Sequence, residues 1–209
     1  MNYTLLDYQA NFNCEIKIQN ETFAYDDINN IFERYPNNVA VILERCALIG
    51  DFTNYTFDNW HFNECQLNKV VFNKCSFNYC SSYKTDWKHV QANNSKWQCC
   101  DHSFDNFSHY QMTFSSIDHS QYLSCFFDNS DLNHLKTNNM KFQSIDFIRS
   151  NLSLTKHQDI DFTCSTFSNC DLSKSFFAAC DFRGVNWELT DAEKMGMSIS
   201  PDCVFALCS

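Results

Sequence analysis

Large apolar side chains recur at every fifth position through the middle of the chain. The column that begins at Phe52 and ends at Trp187 has 28 members, and 24 of them are apolar. With no pattern, the overall apolar content would give roughly 12. Four members depart from the pattern: Ser82, His102, Thr137 and His157. The columns just before and just after this one are almost entirely polar, so a period of five governs residues 50–189.

A second column, two positions before the first, holds mostly small or aliphatic residues. Its members include Cys65, Val70, Cys75, Cys80, Ser95, Cys100, Cys125, Ser165, Cys170 and Cys180. Asp105 is the single charged residue in this column. A period of five matches neither the helical repeat nor the alternation of a plain strand. It requires a chain that turns a corner every five residues and points one large and one small side chain inward on each side.

Four such sides close one coil of 20 residues. Residues 20 apart then stack in adjacent coils, and their backbones pair as in a parallel sheet. We number the faces by their first large apolar residue: face 1 starts at Phe52, face 2 at Phe57, face 3 at Phe62 and face 4 at Leu67. The register never slips between residues 50 and 189, which predicts an all-β rod of seven coils. Its length is roughly 34 Å at about 4.8 Å per coil.

Several segments of the rod resemble the A(D/N)LXX consensus of the pentapeptide-repeat family. They are CDLSK (170–174), SDLNH (130–134), SNLSL (150–154) and CDFRG (180–184). The resemblance covers about 140 of the 209 residues. It implies a right-handed quadrilateral β-helix, and it says little about function because this fold serves many roles.

Both ends of a solenoid need caps, because the terminal coils would otherwise expose their core and their unpaired edges. Residues 1–49 are predicted to form the N-terminal cap, with short strands at CEIKI (14–18) and VAVIL (39–43). Between them, AYDDINNIFERY (24–35) predicts a short helix that buries Ile28, Ile31 and Phe32 and ends before Pro36.

Residues 190–209 are predicted to form a C-terminal cap that also serves as a dimerisation segment. Thr190 and Asp191 can cap a short helix through Met195, with Gly196 as its stop. The stretch DAEKMGMSI (191–199) resembles the tail through which gyrase-protecting pentapeptide proteins form dimers. The residues that this resemblance assigns to a homodimer interface are Met195, Met197, Ile199, Val204, Phe205 and Leu207. The alternative is a simple monomeric cap.

Composition and charge narrow the class of protein. The formal net charge of −10 disfavours nucleic acid as a direct ligand, whereas it can attract basic partners. The N-terminus has no basic or apolar signal-peptide region, and nowhere do 18 apolar residues run together. Thirteen cysteines suggest no compact disulfide framework, and seven of them lie in the small inward column. Buried, reduced thiols fit a cytoplasmic protein.

Few residues in the sequence suggest a catalytic or metal-binding site. His89 and His109 are 20 residues apart and should stack, but two ligands make a poor metal site, and solvated surface histidines are the preferred interpretation. His102 and Asp105 could form a buried pair; the preferred alternative is a local distortion in which Phe104 fills the core. No phosphate-binding loop, nucleophile elbow or HExxH motif occurs. We therefore expect no enzymatic activity, no cofactor and no bound metal.

Surface charges are sorted by face and suggest a protein partner. The candidate acidic surface consists of Asp101, Asp131, Asp146, Asp161, Asp171 and Asp181. Face 2 instead bears Lys96, Lys136 and Lys156. The family resemblance implies a rod that mimics DNA and protects DNA gyrase or another type II topoisomerase. The alternatives are an interaction scaffold or bacterial effector with an unrelated partner, which predicts an exposed apolar patch near residues 1–49, and a purely structural module.

Overall fold

The computed structural model describes residues 4–6, 14–34, 39–187 and 196–205, and it confirms a right-handed, four-sided β-helix of about eight turns. One helix, α1, spans Tyr25–Arg34. The strands are β1 (Thr4–Leu6), β2 (Cys14–Gln19), β3 (Thr22–Phe23), β4 (Val39–Glu44), β5 (Ala47–Leu48), β6 (Thr56–Asp58), β7 (Trp60–Asn63), β8 (Ser76–Asn78), β9 (Ser81–Tyr83), β10 (Lys96–Gln98), β11 (Asp101–Ser103), β12 (Ser116–Asp118), β13 (Gln121–Leu123), β14 (Phe126–Asp128), β15 (Lys136–Gln143), β16 (Asp146–Ile148), β17 (Lys156–Asp161), β18 (Thr166–Ser168), β19 (Phe176–Ala178) and β20 (Ser198–Ile199).

Strands of successive coils pair in parallel with a register of 20 residues. On face 2, Phe57 pairs with Phe77, and the ladder continues without a slip through β19. On face 3, Phe62 pairs with Ser82, and β11, β13 and β15 follow in the same register. This is the stacking that the period of five predicts.

Aromatic side chains of the large inward column stack along the rod axis. The ring centroids of Phe57 and Phe77 are 4.8 Å apart, and those of Phe77 and Trp97 are 3.9 Å apart. On face 4, Phe107 stacks on Phe127 at 4.7 Å. These stacks form one continuous buried core, and burial of this apolar surface is the main stabilising contribution to the fold.

The small inward column ties each coil to the preceding one. The Cys75 thiol donates to the Phe52 carbonyl oxygen at 3.0 Å, and the Ser95 hydroxyl donates to the Phe72 carbonyl oxygen at 2.7 Å. All seven cysteines predicted to fill this column are buried. A small residue with a donor at this position therefore both fills the space and satisfies a backbone carbonyl.

The chain turns its corners with left-handed residues. Every fifth residue from Asn54 to Ala179 has a positive φ, between 47° and 71°. We call these the corner residues; each lies two positions after a member of the large inward column. Asparagine, which tolerates this conformation best among non-glycine residues, occupies six of these corners, and the others hold side chains of many other types.

The N-terminal region extends the same solenoid. β2 pairs in parallel with β4, and β4 pairs with β7, so that Ile18 and Leu43 line up with Phe62. Helix α1 lies between β3 and β4 and buries Ile28 and Ile31. The Asp27 carboxylate accepts the Ala24 N–H at 2.9 Å at the start of this helix. The predicted contacts of Phe32 and the helix stop at Pro36 lie outside the described side chains.

The C-terminal segment covers the end of the rod. β20 pairs in parallel with β19, which places Ile199 beside Phe177. Val204 bridges to Asp181, and the Phe205 ring stacks on Phe182 at 5.0 Å. The predicted helix at 190–195 lies outside the described residues, as do Met195 and Leu207 of the predicted dimer interface. Val204 and Phe205 stay half-exposed.

Candidate functional site

A cluster of polar side chains lies inside the rod, where the large inward column departs from its apolar pattern. Ser82 and His102 stack in adjacent coils, with the Ser82 Oγ 2.5 Å from the His102 Nδ1. The Ser82 hydroxyl also donates a short hydrogen bond to Asp105, and the Thr85 N–H donates to the Asp105 Oδ1 at 2.8 Å. The His102 ring stacks on Tyr122 with centroids 4.4 Å apart.

The hydrogen bonds of this cluster assign the tautomer of His102. Ser82 has a single hydroxyl proton, which it gives to Asp105. The His102 Nδ1 must therefore carry the proton that it shares with the Ser82 oxygen, which also accepts the Trp87 Nε1–H at 3.3 Å. The His102 Nε2 has no hydrogen-bond partner within the described residues.

The combination of Ser82, His102 and Asp105 has the residue types of a hydrolytic triad, but its surroundings assign it a structural role. All three side chains are buried, so no substrate can approach the hydroxyl. The cluster fills the core of two adjacent coils and cross-links them. The interpretation that Phe104 replaces His102 in the core is wrong. Phe104 is a corner residue with φ 57°, and 57% of its surface is exposed.

A second pair of buried polar side chains, Thr137 and His157, lies on face 2 in adjacent coils. The Thr137 Oγ1 lies 2.7 Å from the His157 Nδ1, and both side chains are buried. The His157 ring stacks on Phe177 at 4.8 Å. Burial lowers the pKa of His157 to about 3, because the charged form would lie without water in an apolar core. His157 is thus neutral at physiological pH.

Three of the inward thiols are held in their unreactive, protonated form by burial. Burial raises the pKa of Cys65, Cys75 and Cys180 to about 12. Because the thiolate is the reactive form, these side chains are poor nucleophiles and poor metal ligands near neutral pH. The predicted structural role of the inward cysteines agrees with this.

His89 and His109 stack as predicted, with ring centroids 4.6 Å apart on the outer surface. Within the described ranges, no group of three or more histidine, cysteine or carboxylate side chains is arranged to hold a metal ion. The pair has no third ligand there, and a two-ligand site would bind zinc poorly.

The structure distributes the predicted acidic residues over three faces. Asp131 and Asp171 lie on face 1, and Asp146 lies on face 4. Asp101, Asp161 and Asp181 lie on face 3, where the carboxylates of Asp161 and Asp181 border a shallow depression of about 410 Å³ together with Asp159 and Lys141. No single stripe joins all six.

Several of these carboxylates also hold the backbone. The Oδ1 atoms of Asp131, Asp161 and Asp171 accept the N–H two residues further on, at 3.2, 2.9 and 2.8 Å. Asp181 accepts the Arg183 N–H in the same way and also binds the Arg183 guanidinium, which holds the pKa of Asp181 below its usual range. The acidic position of the repeat therefore stabilises a turn, and its presence alone indicates no partner.

Large apolar side chains are exposed at four corners of the rod, which the sequence analysis did not predict. Tyr79, Phe104, Phe114 and Leu154 are all corner residues, with exposed fractions of 59, 57, 61 and 39%. Phe114 stacks on His134 at 4.4 Å, one coil further along. The signal was present in the sequence, because a residue two places after the inward column must face outward, and apolar residues there have no core to fill.

Solved structures similar to this chain include two pentapeptide-repeat proteins and a fluoroquinolone resistance protein. Rfr23 from the cyanobacterium Cyanothece 51142 has a TM-score of 0.52 at 11% identity, over 56% of this chain and 91% of Rfr23. HetL from Nostoc sp. strain PCC 7120, involved in heterocyst differentiation regulation, has a TM-score of 0.46 at 10% identity, over 90% of this chain and 85% of HetL. QnrB1, a plasmid-mediated fluoroquinolone resistance protein, has a TM-score of 0.45 at 11% identity, over 88% of this chain and 90% of QnrB1.

The likeness to Rfr23 shows a shared pentapeptide-repeat fold and leaves the activity open. No protein-family model and no curated protein matches the sequence. In the part of the chain that the structure describes, no helix is long and apolar enough to cross a membrane.

Proposed function

We propose that this chain is a non-enzymatic protein-binding rod whose partner contacts the large apolar side chains exposed at its corners. One observation carries the proposal: Tyr79, Phe104, Phe114 and Leu154 combine a left-handed backbone with wide exposure to solvent. The free thiols of the described cysteines fit a reducing compartment, so we place this activity in the cytoplasm.

The rod uses only part of these side chains: Phe114 stacks on His134 and Phe104 packs edge-on against Tyr83, yet each of the four corner residues stays at least 39% exposed. A bulky side chain with positive φ is strained, by roughly 1–2 kcal/mol relative to the right-handed conformation. Asparagine occupies the same corner position at Asn54, Asn94 and Asn139 with less strain. Because the exposed rings gain little from burial in the free protein, a partner that covers them explains their presence.

Site-specific photo-crosslinking tests this proposal. A benzophenone amino acid would replace Phe104 or Phe114, and Asn94 or Asn139 in matched controls, in the cells that natively produce the protein. We expect a discrete protein adduct from positions 104 or 114, which excess unlabelled protein suppresses. Equal adduct patterns from all four positions, or none from any, would contradict the proposal.

DNA gyrase is the second candidate partner, which the family resemblance suggests. The observation that favours gyrase is that Asp159, Asp161 and Asp181 line one open depression on face 3. Clustered carboxylates can bind the basic surface with which a protein normally binds DNA phosphates. Lys141 lies in the same depression and weakens this charge.

A supercoiling assay with purified gyrase, with and without a quinolone, tests the second candidate. The wild-type chain should protect or inhibit the enzyme, and a variant with Asp159→Asn, Asp161→Asn and Asp181→Asn should lose the effect. An absence of any effect at all concentrations would remove gyrase as a partner while leaving the protein-binding rod in place.

A further inference from the structure

A groove runs along the corner between faces 1 and 2 in the C-terminal half of the rod. It has a volume of about 370 Å³ and is lined by Phe114, Ser115, Ser116, His134, Lys136, Leu154 and Lys156. We call it the corner groove. Its two sides differ in chemistry, because one is built from corner residues and the other from the outward column of face 2.

The first side of the corner groove is apolar. Phe114, His134 and Leu154 are corner residues of three successive coils, with φ values of 56°, 58° and 59°. The rings of Phe114 and His134 stack at 4.4 Å with an interplanar angle of 14°. Their edges therefore face outward, and the edge of an aromatic ring carries partial positive charge that favours an anionic or carbonyl neighbour.

The second side is basic. Ser116, Lys136 and Lys156 pair in register on β12, β15 and β17. The two lysine side chains therefore leave adjacent strands in the same direction, about 4.8 Å apart. Like charges directly opposite each other destabilise a sheet. In the described part of the chain, neither lysine belongs to an ion pair that would relieve this repulsion.

The corner groove carries positive charge, whereas the molecule as a whole is acidic. The chain as a whole carries a formal charge of −10, so a long polyanion such as a nucleic acid meets repulsion beyond these two lysines. A ligand with one or two carboxylates and apolar side chains avoids that repulsion and matches both sides of the groove.

We infer that the corner groove binds an extended peptide segment of a partner protein, with apolar side chains against Phe114 and Leu154 and carboxylates on Lys136 and Lys156. This inference rests on the proposed protein-binding function and names its ligand class. Phe114 and Leu154 lie two coils apart, or about 10 Å, which three residues of extended chain span. In the next coil the two chemistries change sides, because Lys174 is the corner residue and Phe176 pairs with Lys156, so the footprint with this pattern is about three residues of extended chain.

A peptide-display selection on the purified full chain tests this inference. The probe is a library of random 12-residue peptides, and the enriched peptides are then titrated by fluorescence anisotropy. We expect them to combine Asp or Glu with aliphatic or aromatic residues, and to bind a Lys136→Glu, Lys156→Glu double variant about tenfold or more weakly. Raising the salt concentration should weaken the wild-type complex as well.

Matched variants separate the groove from general charge and stability effects. A Lys69→Glu, Lys74→Glu double variant makes the same change in net charge elsewhere on the surface and should bind like wild type. Lys136→Arg with Lys156→Arg should retain binding. Charge reversal replaces two stacked cations by two stacked anions, so the melting temperature should stay close to that of wild type.

The outcomes distinguish the groove from the broader function. If enriched peptides bind the Lys136→Glu, Lys156→Glu variant as tightly as wild type but lose affinity for a Phe104→Ser variant, the groove inference fails and the protein-binding rod stands. If no peptide is enriched, the groove inference fails, and the crosslinking experiment then decides the broader proposal. Binding of anionic phosphatidylglycerol vesicles or single-stranded DNA through Lys136 and Lys156, without peptide binding, would overturn the assigned ligand class.

Discussion

A few buried polar side chains interrupt the apolar core of the rod. Ser82, His102 and Asp105 lie at inward positions and are linked by hydrogen bonds between two adjacent coils, while the buried His102 Nε2 keeps no partner within the described residues. The loss of one of these hydrogen-bond partners is destabilising, because it leaves a further buried polar group unpaired. The core should therefore be more sensitive to the loss of Asp105 than to the loss of any surface carboxylate.

Replacing Asp105 by alanine tests this sensitivity. The Ser82 hydroxyl and the Thr85 N–H would lose their acceptor, and each unsatisfied buried donor is destabilising by about 1–3 kcal/mol. We expect urea unfolding to show a loss of about 2–5 kcal/mol in the free energy of unfolding. Asp101→Ala, at an exposed position of β11 four residues earlier, should lower it by less than about 0.5 kcal/mol. Equal effects of the two substitutions would contradict the network.

His157 should make the stability depend on pH. Its folded pKa of about 3 lies below the unfolded value of 6.5. Between these values the unfolded chain binds a proton that the folded chain excludes, so stability falls as pH falls, by up to about 1.4 kcal/mol per pH unit. His157→Phe should remove this contribution, so that its stability relative to wild type rises steadily from pH 7 to pH 4.

Denaturant unfolding of both proteins at pH 7, 6, 5 and 4 measures the effect. Thr137→Val serves as the control, because it removes the hydroxyl beside the imidazole but keeps the buried histidine. It should keep the wild-type pH slope. A His157→Phe variant with an unchanged slope would show that another group controls acid unfolding.

The register of 20 residues predicts which of the buried polar residues lie next to each other. The four departures from the apolar column form two pairs 20 residues apart, Ser82 with His102 and Thr137 with His157. Stacking alone would have placed each pair together. The identity of Asp105 as the shared acceptor required side-chain geometry. The aromatic character of Phe104 predicts a core residue, but its position two residues after His102 makes it a corner residue that faces outward.

At the level of elements, the period of five predicts the coils from residue 50 onward and misses their continuation toward the N-terminus. Leu48 and Phe52 are four residues apart instead of five. The chain accommodates the missing residue at Gly50, whose φ of 126° is accessible almost only to glycine. The inward column then continues through Leu48, Leu43, Phe23 and Ile18, with α1 inserted between the last two coils.

Gly50 should therefore be the least replaceable glycine in the described chain. Gly50→Ala forces a side chain into a strained backbone conformation, and we expect a loss of about 2 kcal/mol or more in the free energy of unfolding. Gly196→Ala is the matched control: its φ is 63° and a Cβ there meets no atom within 4 Å, so the loss should be about 1 kcal/mol. Thermal or urea unfolding of both variants distinguishes them.

At the scale of the whole molecule, the C-terminal end remains a predicted homodimer contact. Val204 and Phe205 are half-exposed on the last coil, and exposed apolar residues at the end of a solenoid favour association. We expect sedimentation velocity to show a dimer that Val204→Ser weakens at least several-fold. Phe114→Asn, far from this end, should leave the dimer intact. A monomer at all concentrations would favour the simple cap.

The rod as a whole is specified mainly by its repeat, whereas its binding surface depends on departures from that repeat. Acidic residues at the turn position follow from the fold, since they hold backbone N–H groups. Phe114 and Leu154 do not follow from the fold, because their corner positions accept asparagine elsewhere in the rod. The corner positions follow from the period of five, whereas the exposed fraction of each side chain there required the three-dimensional structure.

The most direct test of this account replaces all four exposed corner residues at once, with Tyr79→Asn, Phe104→Asn, Phe114→Asn and Leu154→Asn. Melting temperature and partner binding would be measured on the same preparation, with the crosslinked partner or the selected peptides as ligand. Relief of left-handed strain should keep the melting temperature equal to or above that of wild type, while binding is lost. A variant that binds as tightly as wild type, or that unfolds, would contradict the assignment of these side chains to partner binding.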